Sequence, residues 1–148
     1  MEKSISAFIR ESLNIAEVDI NSYSPLTLAY IGDAIFDLII RTAMVSKGNN
    51  RADSLHKATA SIVKAKTQSD MIEKMLLYLT EEEAAVYRRG RNAKSHTTAK
   101  NASISDYRRA TGFEALLGYL YLQGDMERIM ELVKIGLSDM EVPWDTKN

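Results

Sequence analysis

The stretch from Leu26 to Met44 is apolar almost without interruption and has the length of a long helix. Ser24 is a suitable N-cap before it, and Pro25 suits the first helical position. Gly48 marks the end of the helix, which we place near Lys47. Because a helix that is apolar on all sides is typical of the centre of a fold, we predict that this one is central and buried.

The other segments of the chain also have helical rather than strand-like patterns, since apolar and polar residues nowhere alternate over a useful length. Thr80 and the three glutamates after it form a capping box, which predicts a helix running to about Arg89. The residues from Gly90 to Ser103 are polar, basic and poor in helix formers, and they predict a loop. The remaining predicted helices span about 4–15, 54–63, 66–79, 103–123 and 126–140, with 54–79 as one bent helix or two consecutive ones.

These patterns predict an all-α fold in one domain over residues 1–148, with a core at about 20–141 and a loosely held tail from Pro143. The chain contains no cysteine, which excludes a disulfide framework and a thiol nucleophile. It shows neither a signal-peptide pattern nor an apolar run of the roughly 18 residues that a membrane span requires. We therefore expect a cytoplasmic protein.

Two apolar segments contain carboxylates at positions where an apolar side chain would be less costly to bury. Asp33 and Asp37 lie one turn apart in the central helix, and Glu114 lies within GFEALLGYLYL. If the two helices pack together, Asp33 and Glu114 converge, and a pair of acids requires a cation or a shared proton. Without cysteine, the natural candidate is an oxygen-ligated hard ion such as Mg²⁺. The alternative is that these acids form ordinary ion pairs, and Asp37 with Arg41 is a plausible one.

The net charge of −1 conceals a basic segment from residue 88 to 109, which holds seven basic residues and one acid. Much of it falls in the predicted loop, which is rich in residue types that contact phosphate. Such a loop is either simply solvated or a binding surface for nucleic acid, and its position before the Glu114 helix favours the second interpretation. The candidate RNA-binding residues are Arg88, Arg89, Arg91, Asn92, Lys94, Ser95, His96 and Lys100, with Lys57, Lys64 or Lys66 as possible additions.

The stretch LAYIGDAIFDLIIR resembles the signature helix of the ribonuclease III family, which has the pattern Leu-Glu-Phe-Leu-Gly-Asp-Ala. The stretch FEALLGYLYL resembles the second catalytic segment of that family, Asp-x-x-Glu-Ala-Leu-x-Gly. With SLHKA, IVKAKTQ and RRGRNAKS in the same order, the chain is similar to Mini-ribonuclease III, the small bacterial branch that consists of the nuclease domain alone. The resemblance covers most of residues 26–123. We expect no counterpart of the separate double-stranded-RNA-binding domain that is normal in the larger relatives.

The resemblance implies that Asp33 and Glu114 are catalytic residues that bind Mg²⁺. The chain departs from classical ribonuclease III at Ala29 and Thr111, where that family has a glutamate and an aspartate. Two family carboxylates therefore remain per site, and the number of metal ions stays open.

The resemblance also implies a homodimer with the signature helix near its two-fold axis and double-stranded RNA lying across it. Each site would cut one strand and leave a 5′-phosphate. The branch matures the ends of the 23S ribosomal RNA precursor, and the resemblance implies help from a ribosomal protein on that substrate. Two alternatives stay open. One is a non-catalytic RNA-binding factor in ribosome assembly, and the other is an all-α metal-dependent phosphohydrolase acting on nucleotides.

Overall fold

A computed structural model describes residues 3–94 and 103–145. These residues form seven α-helices and two short 3₁₀ helices and contain no β-strand, which confirms the predicted all-α fold for the described part of the chain. No helix among them is long and apolar enough to cross a membrane. The helices are α1 (Ile5–Ser12), α2 (Pro25–Val45), α3 (Ala52–Val63), α4 (Ala65–Met75), α5 (Glu81–Asn92), α6 (Ile104–Leu122) and α7 (Met126–Leu137), and the 3₁₀ turns are Ile20–Ser22 and Leu76–Tyr78.

Helices α2 and α6 cross at the centre of the molecule, and two glycines allow their backbones to touch. A Cβ on Gly32 would lie 1.7 Å from the carbonyl oxygen of Glu114, and one on Gly118 would lie 2.0 Å from that of Leu28. No side chain fits in either space. The Phe36 and Phe113 rings then meet edge-on in the core, with centroids 5.1 Å apart.

The prediction that α2 is buried on all sides is wrong for the described chain. Ser24 and Pro25 begin the helix as predicted, and one face packs into the core. The opposite face is exposed and carries an apolar strip, which we define as Leu26, Tyr30, Ala34 and Leu38. These residues recur every four positions and therefore share one side of the helix. Tyr30 is 82% exposed, so the apolar character of α2 exceeds what its own core requires.

The segment predicted as one bent helix or two is two helices, because Lys64 is extended (ψ 155°) between α3 and α4. The predicted loop from Gly90 begins later than expected, since α5 continues to Asn92. Gly90 is helical because it packs on α6, where a Cβ would lie 2.8 Å from the Gly112 Cα. This close packing overrides the weak helix propensity that the sequence shows there.

Helix α5 is joined to α7 by a partly buried ion pair. Arg128 donates from Nε and a terminal nitrogen to both oxygens of Glu83, each at 2.8 Å, and to the carbonyl of Tyr78 at 2.7 Å. Thr80 and Glu83 complete the predicted capping box. These hydrogen bonds, led by those from Arg128, keep the pKa of Glu83 below its usual value. At the end of the chain, Trp144 packs against the core, so the prediction of a loose tail is wrong up to residue 145.

Candidate active site

The α2–α6 crossing brings Asp33 and Glu114 together. Since the backbone of Gly32 lies against that of Glu114, the neighbouring Asp33 side chain reaches the Glu114 carboxyl and forms a hydrogen bond with it. Asp33 is exposed, whereas Glu114 is mostly buried. Burial, followed by the hydrogen bond and the charge of Asp33, raises the pKa of Glu114 to about 9. At neutral pH, without a cation, the Glu114 carboxyl therefore stays protonated, in line with one of the two arrangements expected for converging acids.

Gln68 of α4 is the third side chain at this site, and the sequence reasoning missed it. Its Nε2 donates to the carbonyl of Val63 at 2.8 Å and, more weakly, to Glu114 Oε2 at 3.5 Å. The residue is 2% exposed. The sequence does contain a signal, because position 68 begins the i, i+3, i+4, i+7 series of buried residues that continues with Met71, Ile72 and Met75. A glutamine in a buried stripe requires a polar partner.

The chemistry of these groups suits a hard divalent cation. Two carboxylates and an amide oxygen are donors that Mg²⁺ prefers, and Mg²⁺ commonly uses only one or two carboxylates with water for the rest. Among the described residues, Oε1 of Gln68 is buried without a hydrogen-bond partner. No cluster of three or more acids or histidines that could hold a metal occurs in residues 3–94 and 103–145. A cation at Asp33 and Glu114 would thus have few protein ligands.

The two positions that depart from classical ribonuclease III offer no metal ligand. Ala29 is 7% exposed and lies in the core, and Thr111 is 8% exposed. The Thr111 hydroxyl donates to the carbonyl of Tyr107 one turn earlier, at 3.0 Å. Both side chains are therefore part of the packing, and the candidate carboxylates stay at two.

Those of the predicted RNA-binding residues that the structure describes lie at the C-terminal end of α5. Arg88, Arg89 and Lys94 are exposed, and Arg91 lies 5.6 Å from the centre of the Tyr87 ring. Because Gly90 packs against α6 at Thr111, Gly112 and Ala115, this end of α5 is held beside the segment that carries Glu114. Asn92 is exposed in the last turn, while Ser95, His96 and Lys100 lie outside the described residues.

Four other polar residues lie apart from the acid pair. Asp37 and Arg41 form the expected ion pair, with 2.8 Å between Asp37 Oδ2 and Arg41 Nε. Asp106 accepts a hydrogen bond from Ser69, which together with Ser103 keeps its pKa below the usual value. His56 is exposed on α3. None of these four residues takes part in the Asp33–Glu114 contact.

Comparison with known proteins identifies the family. Residues 26–125 match the model of the Ribonuclease III domain. The chain is 45% identical over 141 residues to a Mini-ribonuclease 3 of Thermoanaerobacter sp. (95% of this chain, 99% of the relative). It is 52% identical over 118 residues to a Mini-ribonuclease 3 of Clostridium tetani (79% of this chain, 78% of the relative).

The fold leads to the same family. A crystal structure of a Fusobacterium nucleatum protein superposes with a TM-score of 0.74 at 34% identity, covering 82% of this chain and 94% of that one. The Ribonuclease III match contains both candidate carboxylates and most of the α2–α6 crossing that joins them. The chain therefore belongs to the ribonuclease III family of endoribonucleases.

Proposed function

We propose that the protein is a Mg²⁺-dependent endoribonuclease that cleaves double-stranded RNA and leaves 5′-phosphates. The observation that carries this proposal is the contact between Asp33 and Glu114 at the α2–α6 crossing. A partly buried acid pair holding one proton is well suited to exchange that proton for a cation, because both carboxylates can then be ionised.

The role that we propose for each side chain follows from its position. Asp33 is exposed to solvent, whereas Glu114 lies in the packed α6 helix and accepts a hydrogen bond from Gln68. When bound, Mg²⁺ supplies an activated water and stabilises negative charge on the phosphate. The basic residues at the end of α5 hold the RNA backbone next to this pair. Cleavage should then depend on duplex shape more than on sequence, because A-form RNA is contacted through phosphates and 2′-hydroxyls.

Reversing the charge of Lys94 is expected to weaken RNA binding and to flatten its dependence on salt by about one unit of slope in log Kd against log salt concentration, as the loss of one phosphate contact predicts. Arg91→Glu should do the same. The measurement is binding to a short RNA duplex over a series of salt concentrations. Lys134→Glu is the control, because it makes the same charge change at an exposed position of α7. An unchanged slope for both test variants would remove the end of α5 from the RNA-binding surface.

We also propose a homodimer in which α2 lies near the two-fold axis. The apolar strip of α2 is the support, since Tyr30 and Leu38 are 82% and 54% exposed in the single chain. A second copy packed on this strip would remove that apolar surface from water. Light scattering should therefore give twice the chain mass of 16.6 kDa, and Leu38→Arg should shift the protein toward monomer. A monomeric wild type at micromolar concentration would contradict this arrangement.

The substrate that we propose is the terminal stem of the 23S ribosomal RNA precursor, processed in the cytoplasm. The similarity to Mini-ribonucleases 3 is the support, together with the single nuclease domain that we propose for the chain. A ribosomal protein bound to the precursor is a proposed helper.

The deciding experiment is incubation of wild-type protein with a long RNA duplex, with Mg²⁺ and with a chelator. We expect cleavage only with Mg²⁺, with 5′-phosphate ends and little action on single strands. Hydrolysis of mononucleotides instead would favour a phosphohydrolase. Binding without cleavage, also on the 23S precursor with its ribosomal proteins, would favour the non-catalytic assembly factor, a role consistent with the loss of carboxylates at Ala29 and Thr111.

A further inference from the structure

Gln68 is held in one orientation by two acceptors. Val63 ends α3, and its carbonyl is free to accept because Lys64 interrupts the helix. The Glu114 carboxyl lies on the other side of the same amide nitrogen. Since a backbone carbonyl can only accept a hydrogen bond and only the NH₂ group of a glutamine donates, the nitrogen must face Val63. Oε1 is consequently the atom left over.

The position of Oε1 is energetically unfavourable. Oε1 of Gln68 is buried and has no hydrogen-bond partner among the described residues. A buried acceptor without a partner destabilises the folded state unless water or a ligand satisfies it. An apolar side chain at position 68 would avoid this cost, and the neighbouring stripe positions Met71, Ile72 and Met75 are apolar. The glutamine is therefore best explained by a group that binds beside Glu114.

We propose that Gln68 is a positioning residue of the metal site, where its amide nitrogen orients Glu114 and its Oε1 accepts a hydrogen bond from a water of the bound divalent cation. The inference rests on the proposed metal-dependent function and adds a neutral third member to the Asp33–Glu114 pair. It accounts for how a site with two carboxylates holds its ion, because groups that orient ligands commonly change metal affinity by about 10–100-fold.

The test compares variants by titration with Mn²⁺, followed by electron paramagnetic resonance of the free ion. Gln68→Met keeps the length of the side chain and removes both polar atoms, and it should weaken Mn²⁺ binding about 10–100-fold. Gln68→Glu keeps an oxygen at the place of Oε1 but loses the amide donor that faces Val63 and Glu114, so it should change the affinity for Mn²⁺ as well. Thr67→Ala is the control, because the Thr67 hydroxyl also ties α4 to the end of α3, donating to Ser61 O at 3.2 Å, without touching Glu114. It should bind Mn²⁺ like wild type.

A second measurement separates positioning from folding. In a cleavage assay, Gln68→Met should need about 10–100 times more Mg²⁺ for half-maximal rate and should regain the rate when Mg²⁺ is raised. A residue that only supports the α3–α4 junction would lower the melting temperature and leave the Mg²⁺ requirement unchanged. If Gln68→Met does not fold, Gln68→Glu alone decides, because unaltered Mn²⁺ affinity there overturns the proposal.

The outcomes also separate this inference from the proposed function. If wild type binds Mn²⁺ and all three variants bind it equally, only the role of Gln68 is overturned. If wild type neither binds Mn²⁺ nor cleaves RNA, the metal-dependent function fails, and the role of Gln68 fails with it.

Discussion

Replacing Asp33 with asparagine is expected to lower the rate of double-stranded RNA cleavage by at least about 10³-fold. A cation that stabilises charge on the phosphate contributes several kcal/mol to the reaction, and each 1.4 kcal/mol corresponds to a factor of about ten. Asparagine keeps the size of the side chain but removes the charge that holds the ion. Because Asp33 is exposed, the fold and RNA binding should stay close to wild type. Single-turnover cleavage at saturating Mg²⁺ measures the effect.

Asp37→Asn is the matched control for this experiment. It makes the same chemical change one turn further along α2, at an ion pair with Arg41 that is partly exposed and contributes little to stability. Its cleavage rate should stay within about twofold of wild type. If Asp33→Asn cleaved as fast as Asp37→Asn, the assignment of the site to the α2–α6 crossing would be wrong.

Replacing Gly32 with alanine is expected to destabilise the folded protein by about 3 kcal/mol or more, at or beyond the upper end of overpacking effects. The new Cβ would lie 1.7 Å from a backbone carbonyl, which cannot rotate away as a side chain could. The helices would have to separate at the position where Asp33 and Glu114 meet. A large part of a typical stability of about 5–15 kcal/mol would be lost, and metal binding with it. Urea unfolding monitored by circular dichroism measures the change.

Gly48→Ala provides the comparison, since it makes the same substitution where no atom lies within 4 Å of the new Cβ. Gly48 has a φ of +121°, so alanine there is strained in the backbone alone and should cost about 1–3 kcal/mol. Equal urea midpoints for Gly32→Ala and Gly48→Ala would show that α2 and α6 adapt to an added methyl group. Close packing of the helices would then not be required for the site.

The sequence predicted the helices well because their end signals are local. The N-caps Ser24, Thr80 and Ser103 all hydrogen-bond to the first turn of the helix that follows. The errors arose where tertiary contacts decide. Gly90 resembles a helix end, and it is helical because α6 lies directly against it. The apolar helix α2 exposes Tyr30 to 82%, because composition alone does not tell which sides of an apolar helix face the core.

The candidate site was predicted in part. Two acids in apolar helices were a visible anomaly, and the structure brings Asp33 and Glu114 into contact. It also shows that the two acids differ in environment, because Glu114 is mostly buried and Asp33 is exposed. The sequence alone does not reveal this difference. Gln68 escaped notice because a single uncharged polar residue in a helix is common, and its importance depends on a neighbour that lies 46 positions away.

The crossing of α2 and α6 also sets the order in which a newly made chain becomes active. Asp33 and Glu114 are about 80 positions apart in the sequence, so their contact closes a long loop and cannot form before both helices have been made. During synthesis, α2 is complete long before α6 leaves the ribosome. Under the proposed mechanism, a nascent or truncated chain without α6 has only one half of the acid pair and cannot hold the ion with both carboxylates. Such a chain should leave the RNA around it intact until α6 has been made.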